Sequence, residues 1–351
     1  MKFDVVIGNP PYQEETENVS LTNGQLRSKS IFHHFQRSAD TISNTATVLI
    51  YPGGRWIQRS GKGMAEFGLE QINDIKLKTL YFYPDSKDIF TGVSIADGIS
   101  IVVKKQQKQE RGFKYVYCEK NNKIEVELDN PGENIIPLNP NNTTIVNKLE
   151  QFVENNRLRY MHDRIHPQKL FGIESDFVEK NKEKVRLYDN ENNINFDTEI
   201  KLYANDKAGK AGRTKWFVVP KSIITTSKEF IDRWKVVVSS ANAGGQKRDN
   251  QLEIIDNHSV FGRSRVALAS FDTKEEAENF YNYVNSYIIR YAFLMTDESL
   301  TTLALKVPDI LEYKNNNFID FSKNIDVQLC KLLSLTQSEF NYIKEVVNNL
   351  R

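Results

Sequence analysis

Four consecutive residues, Asn9-Pro10-Pro11-Tyr12, bring together an amide, two constrained carbonyls and an aromatic ring. Each proline locks φ and pushes the residue before it out of the helical region, so the loop is stiff. This set suits the exocyclic amine of adenine. That nitrogen is a poor nucleophile because its lone pair is delocalised into the ring. The Asn9 side-chain oxygen and the Pro10 backbone carbonyl can each accept one of its two hydrogens. That pairing draws the nitrogen toward tetrahedral geometry and frees the lone pair. No strong base is needed, since the proton can leave after transfer. The Tyr12 ring can stack on the base. A base inside a duplex cannot reach such a loop and has to be flipped out. From composition alone the tetrapeptide arises roughly once in a thousand chains of this length.

The surrounding pattern positions this loop. Residues 2–7 read as a buried strand, a β-branched apolar run closed by Gly8. Residues 13–27 are polar and read as an irregular loop. A helix through about residue 39 follows, with Ile31, Phe32, Phe35 and Ala39 on one face. Thr47–Tyr51 is a second strand, stopped by Pro52-Gly53-Gly54. Residues 62–72 read as helix, and Leu77–Tyr83 and Ile99–Val103 as two more strands. Strand, helix, strand, helix and two strands close together describe part of an α/β sheet with an antiparallel edge hairpin. After about residue 105 the character changes. Gln106–Arg111 is a charged link and Asn139–Thr144 is rich in Asn and Pro. Further on come a helix at 145–156, strands at Trp216–Val219 and Trp234–Ser239, a helix at 274–294, and one at 336–349 with a Thr336/Glu339 capping box.

Composition bounds the rest. The 351 residues include 47 basic and 46 acidic side chains, net +1, so any nucleic-acid surface must be a local patch. The 20 Phe and 15 Tyr can fill a core. Two cysteines, Cys118 and Cys330, make neither a disulfide framework nor a metal site, and a reducing cytoplasm is the expected setting. No apolar run is long enough to span a membrane.

On Asn9–Tyr12 the chain resembles the amino-methylating DNA methyltransferases, in the adenine branch. More narrowly it is similar to the restriction–modification enzymes that join methylase and target recognition in one polypeptide. The resemblance covers about residues 2–105. It implies the second half of a Rossmann-like methyltransferase sheet with an antiparallel edge hairpin, then a mixed α+β target-recognition domain. The expected divisions are 1–105 catalytic, 106–144 linker or edge, and 145–351 DNA-binding. Residues 2–7 would match the fourth strand of that sheet and Thr47–Trp56 the fifth. Asp88–Ser94 would match a late motif, with Phe90 as a second aromatic holding the flipped base. The implied cofactor is S-adenosylmethionine and the implied substrate double-stranded DNA.

One departure matters. The family's Gly-rich donor loop and the acidic residue after its second strand precede this motif, and here eight residues precede Asn9. No permuted loop is convincing: Gly61-Lys62-Gly63, Gly209 with Gly212, and Gly244-Gly245 all lack the strand–loop–helix context. The chain is therefore expected to hold an incomplete donor pocket, as a fragment, one half of a split enzyme or the product of a truncated gene. Its expected partner is a chain with the missing methyltransferase motifs, or a nuclease or translocase module. The competing expectation is a non-catalytic DNA-recognition subunit. A third is a related methyltransferase acting on RNA or a protein glutamine.

Residues 201–265 hold 13 Lys/Arg against 6 Asp/Glu. Lys207, Lys210, Arg213 and Lys215, then Lys247 and Arg248, then Arg263 and Arg265 sit in Gly-containing loops suited to phosphate contact and base reading. Pro308-Asp309…Glu312-Tyr313-Lys314 superficially suggests a nuclease site. Its two acids lie three residues apart and cannot come from different strands to share a metal.

Overall fold

The computed structural model describes residues 2–20, 26–61, 63–120, 122–207, 214–241, 245, 251–296 and 299–349. They form two compact units, Met1–Thr143 and Thr144–Arg351.

The first unit is built on six strands in the order β1-β4-β6-β5-β7-β8. They are β1 Phe3–Gly8, β4 Ser43–Pro52, β5 Leu77–Tyr83, β6 Ile99–Lys105, β7 Phe113–Glu119 and β8 Asn122–Leu128. β1 and β4 are parallel; β6 is antiparallel to both β4 and β5; β7 is parallel to β5, and β8 antiparallel to β7. The expected edge hairpin is therefore placed differently. Its second strand, β6, lies inside the sheet, and residues 113–128 extend it beyond β5. Phe113, Tyr115 and Tyr117 alternate into the core, which is why the compact unit runs to Thr143 and not to 105.

Residues 13–27 were expected to be irregular. Instead β2 (Gln13–Ser20) and β3 (Leu26–Ser30) form a hairpin, with residues 21–25 outside the described set. Helix α1 (Phe32–Ile42) follows. It buries Phe32, Gln36 and Ala39, while the expected Phe35 is exposed. Gln36 faces inward because it accepts a hydrogen bond from the buried Tyr51 hydroxyl at 3.0 Å. The Tyr51 ring stacks on Phe32, centroids 4.8 Å apart. Helices α2 (Gly54–Ile57) and α3 (Met64–Asn73) add Trp56, Ile57, Met64 and Phe67 to the same core. Far from the loop of interest, buried Lys104 at the end of β6 pairs with Asp40 of α1 at 2.8 Å and with Asp74 after α3 at 2.7 Å.

β1 is unusual. It pairs only with β4 among the described residues. Val6 packs against the core, but the strand's other apolar side chains are open to solvent: Phe3 is 47% exposed, Val5 51% and Ile7 74%.

The second unit has three layers. Sheet β10-β12-β11-β15 consists of β10 Arg186–Leu187, β11 Glu199–Asn205, β12 Thr214–Pro220 and β15 Ser259–Phe261. Sheet β14-β13-β16 consists of β13 Trp234–Ser239, β14 Leu252–Ile255 and β16 Arg265–Phe271. Val237 and Ala267 face the first sheet, while Val236, Val238, Val266 and Leu268 face a helical layer. Strands buried on both faces read as continuous apolar runs. That layer is built from α4 (Thr143–Asn155), α6 (Lys274–Asn285), α7 (Tyr287–Phe293), α8 (Ile325–Leu332) and α9 (Gln337–Asn349). A short α5 (Phe177–Lys180) and a two-stranded pair, β9 (Arg159–Tyr160) with β17 (Pro308–Asp309), complete the unit. The helix expected over 274–294 is broken at Ser286, whose backbone is extended at ψ 153°. Among the described residues, no helix is long and apolar enough to cross a membrane.

Candidate active site

β1, β4 and β5 all point the same way, so Gly8, Pro52 and Tyr83 end at one side of the sheet. Asn9–Tyr12, the Pro52-Gly53-Gly54 turn and the loop 84–98 follow these three ends. Open α/β sheets place ligand sites outside the carboxyl ends of their strands.

The turn and the loop are bonded together. Gly53 N donates to Gly98 O at 3.3 Å, Gly54 N to Asp97 O at 2.7 Å, and Arg55 N to the Asp97 carboxylate at 2.7 Å. This approach explains the two glycines. A Cβ on Gly53 would meet the Ser100 Cβ at 2.9 Å, and one on Gly54 would meet the Asp97 carbonyl oxygen at 2.9 Å.

In the motif, Asn9 and Pro11 are exposed and Pro10 is half-buried. Tyr12 is half-buried and packs against the unit's core. Its carbonyl accepts from Ile31 N at 3.1 Å, which ties the end of the loop to the start of α1. Burial raises the Tyr12 pKa, and the nearby Asn9 side chain pulls it partly back. The hydroxyl is shielded from solvent and meets no partner at full hydrogen-bonding geometry.

Phe90 is half-buried and lies outside the core cluster of its unit. Two side chains that hold its loop escaped the sequence reading, Ser86 and Asp97. Ser86 sits in Asp85-Ser86-Lys87-Asp88, where the short polar side chains of Asp85, Ser86 and Asp88 bind backbone. That run signals a turn without saying what it closes.

In the second unit, strand pairing gathers three loops at one end. Asn205 pairs with Thr214, Tyr203 with Phe261, and Ser239 with Arg265. The loops 206–213, 240–251 and 262–264 therefore begin and end side by side. Lys207 is exposed. Lys215 is exposed and pairs with Asp206 at 3.1 Å; Arg263 pairs with Glu174 at 3.2 Å. Lys210, Arg213, Lys247 and Arg248 lie outside the described residues.

Arg265 is a correction. Expected at the surface, it is 4% exposed. It donates to the Thr214 hydroxyl at 2.8 Å and lies 5.1 Å from the Tyr203 ring centre. Burial lowers its pKa, opposed by Tyr203 and Glu253. Lys235 is buried as well, and Lys201 pairs with Glu191 and Asp256. Lys201, Lys235 and Arg265 are thus turned inward. Asp309 of the nuclease-like run is buried, bonded to Arg164 at 2.9 Å and to the Tyr313 hydroxyl at 3.1 Å.

Residues 1–90 match the model of the Eco57I restriction-modification methylase family. Over those residues the chain is similar to the restriction-modification methylases. An uncharacterised adenine-specific methylase of Mycoplasma pneumoniae is 29% identical over 160 residues, 45% of this chain and 35% of that protein. The matched stretch thus spans about a third of that relative's length. Among solved structures, the type IIL restriction-modification enzyme MmeI in complex with DNA aligns over 93% of this chain and 48% of its own, at 7% identity and a TM-score of 0.41. The methyltransferase subunit of a type I restriction-modification system from Streptococcus thermophilus aligns over 33% of this chain and 26% of its own, at 18% identity and a TM-score of 0.24.

Methylases of this kind imply S-adenosylmethionine, and the residues present do not fit it alone. Gly61 and Gly63 have φ of +76° and +81° ahead of α3, but they follow α2 and not a strand. Gly209, Gly212 and Gly244 lie outside the described residues. β4 runs through Gly53 and Gly54 into the four-residue helix α2, but that turn is closed against Ser100 and Asp97 and not left open as the glycine loop that cradles such a cofactor.

Proposed function

We propose that this chain holds the target adenine of a site-specific DNA methyltransferase of a restriction–modification system. A flipped adenine enters at the carboxyl end of β1. Asn9 Oδ1 and the Pro10 carbonyl accept the two amine hydrogens. Tyr12 and Phe90 flank the base. Lys207, Lys215 and Arg263, with Lys210, Arg213, Lys247 and Arg248, contact phosphates from the loop end of the second unit. Arg265 supports that end from within. The observation that carries this reading is the position of Asn9–Tyr12. It leaves a strand's carboxyl end beside two further loops, inside the stretch that matches the methylase family.

S-adenosylmethionine would supply the methyl group. The donor pocket is completed by a further α/β segment packed beside β1, a reading supported by that strand's edge, unpaired among the described residues, and by exposed Val5 and Ile7. The same edge favours a second reading, in which this chain recognises DNA and performs no chemistry alone.

Methyl incorporation into adenine-containing duplexes tests the first reading. The assembled enzyme is expected to lose on the order of 10²–10³-fold in rate with Asn9→Ala, as when one preorganised polar partner is removed from a reacting group. Tyr12→Ala should lose a similar amount. Full activity in both variants would remove the proposal. Calorimetry tests the pocket: micromolar binding of S-adenosylmethionine by this chain alone would show that no further segment is needed.

A further inference from the structure

Ser86 carries no expected role, yet it is 1% exposed in a loop at the rim of the site. Its hydroxyl donates to Val93 O at 2.8 Å and accepts from Ile95 N at 2.8 Å. Its main-chain carbonyl accepts from Phe90 N at 2.8 Å and from Ile89 N at 3.1 Å. One residue therefore grips both the outgoing and the returning arm of the loop. Asp85 accepts from Lys87 N at 2.9 Å, and Asp88 accepts from Lys120 N at 2.9 Å, which fixes the loop's base to the turn after β7. Between these anchors stand half-buried Phe90 and Val93, the latter 49% exposed. Ordering each residue of the loop costs backbone entropy. Apolar side chains held out toward water return little of it, so something else must hold the loop in shape.

We propose that Ser86 is the positioning residue that holds Phe90 at the rim of the base site. This rests on the reading of Asn9–Tyr12 as the adenine loop. Ser86 touches no substrate. Its hydroxyl closes the loop and presets the Phe90 ring, so that binding a base does not have to order the loop first.

The probe is a duplex in which 2-aminopurine stands opposite an abasic site, titrated at low salt. An unpaired base is cheap to extrude, and at low salt contact does not depend on sequence. The chain should raise the fluorescence. Ser86→Ala should weaken the fluorescence-detected affinity about tenfold, the effect of losing one or two hydrogen bonds, with a circular dichroism spectrum that shows the fold retained. Ser86→Thr, which keeps the hydroxyl, should restore it. Phe90→Ala should lose a similar factor, and the double variant no more than either single one. Amide exchange at Ile95 should quicken in Ser86→Ala alone. A wild-type chain that gives no rise would overturn the base-site reading itself. A wild-type rise matched by Ser86→Ala would overturn the role of Ser86 and leave that reading standing. A double variant much weaker than both single ones would also overturn it, since Ser86 would then act apart from Phe90.

Discussion

A neutral amine has two hydrogens to give and an ammonium has three. The Lys235 nitrogen meets three carbonyls, those of Phe230 at 3.3 Å, Ile231 at 2.9 Å and Ser259 at 2.7 Å, and lies 5.8 Å from the centre of the Phe171 ring. The carbonyls favour the charged form, while burial works against it and pushes the pKa down to about 7. The sign for stability follows. Between about 7 and the ordinary lysine value of 10.5, the unfolded chain keeps a proton that the folded one has given up. Stability should therefore rise with pH across that window, by up to about 1.4 kcal/mol per unit. Lys235→Met removes the titration, so denaturant melts from pH 7 to 10 should show wild type gaining on the variant. A constant gap would mean that the carbonyls outweigh burial. Sequence distinguishes such residues poorly. Asn9–Tyr12 is readable because its chemistry and stiffness lie in four consecutive residues. The fate of Arg265 and Lys235 depends on strands that pair across the chain, and a charge count treats a buried cation and a solvated one alike.

At the scale of elements, the Pro52-Gly53-Gly54 turn shows what local patterning can and cannot reveal. Two glycines after a strand announce a turn. That they are needed for the close approach of Asp97 and Ser100 is visible only once β6 lies beside β4. Gly53→Val should push against the Ser100 backbone and the Phe82 ring and cost about 1–3 kcal/mol, as overpacking does. A thermal melt should fall by several degrees in a unit of this size. An unchanged midpoint would show that the turn can give way. The strands β4, β5 and β6 could be read from their β-branched and aromatic runs, but their order could not, because β6 turns back between its predecessors. The β2–β3 hairpin escaped for a different reason: Gln13–Ser20 is a polar strand without an apolar face. Gln36 escaped because an inward amide is explained only by the Tyr51 hydroxyl that meets it.

Across the whole molecule, the motif loop belongs to one unit and the basic loops to the other. Each set collects at strand ends, where side chains can change without disturbing the core. β1 breaks that pattern, because its own strand surface is bare. An exposed apolar edge invites pairing with another copy, and a charge on the edge opposes it. Ile7→Lys should therefore lower concentration-dependent light scattering at micromolar protein and leave the circular dichroism spectrum unchanged. Scattering equal to wild type would mean that the edge is not the adhesive surface. The same edge bears on the life of the chain in a cell. A polypeptide whose exposed strand is covered only when another segment arrives is safe in proportion to the supply of that segment. Copies made in excess stay open to proteases and to one another. If a further segment covers β1 as proposed, the usable amount of this chain would be set by balanced synthesis rather than by its own expression.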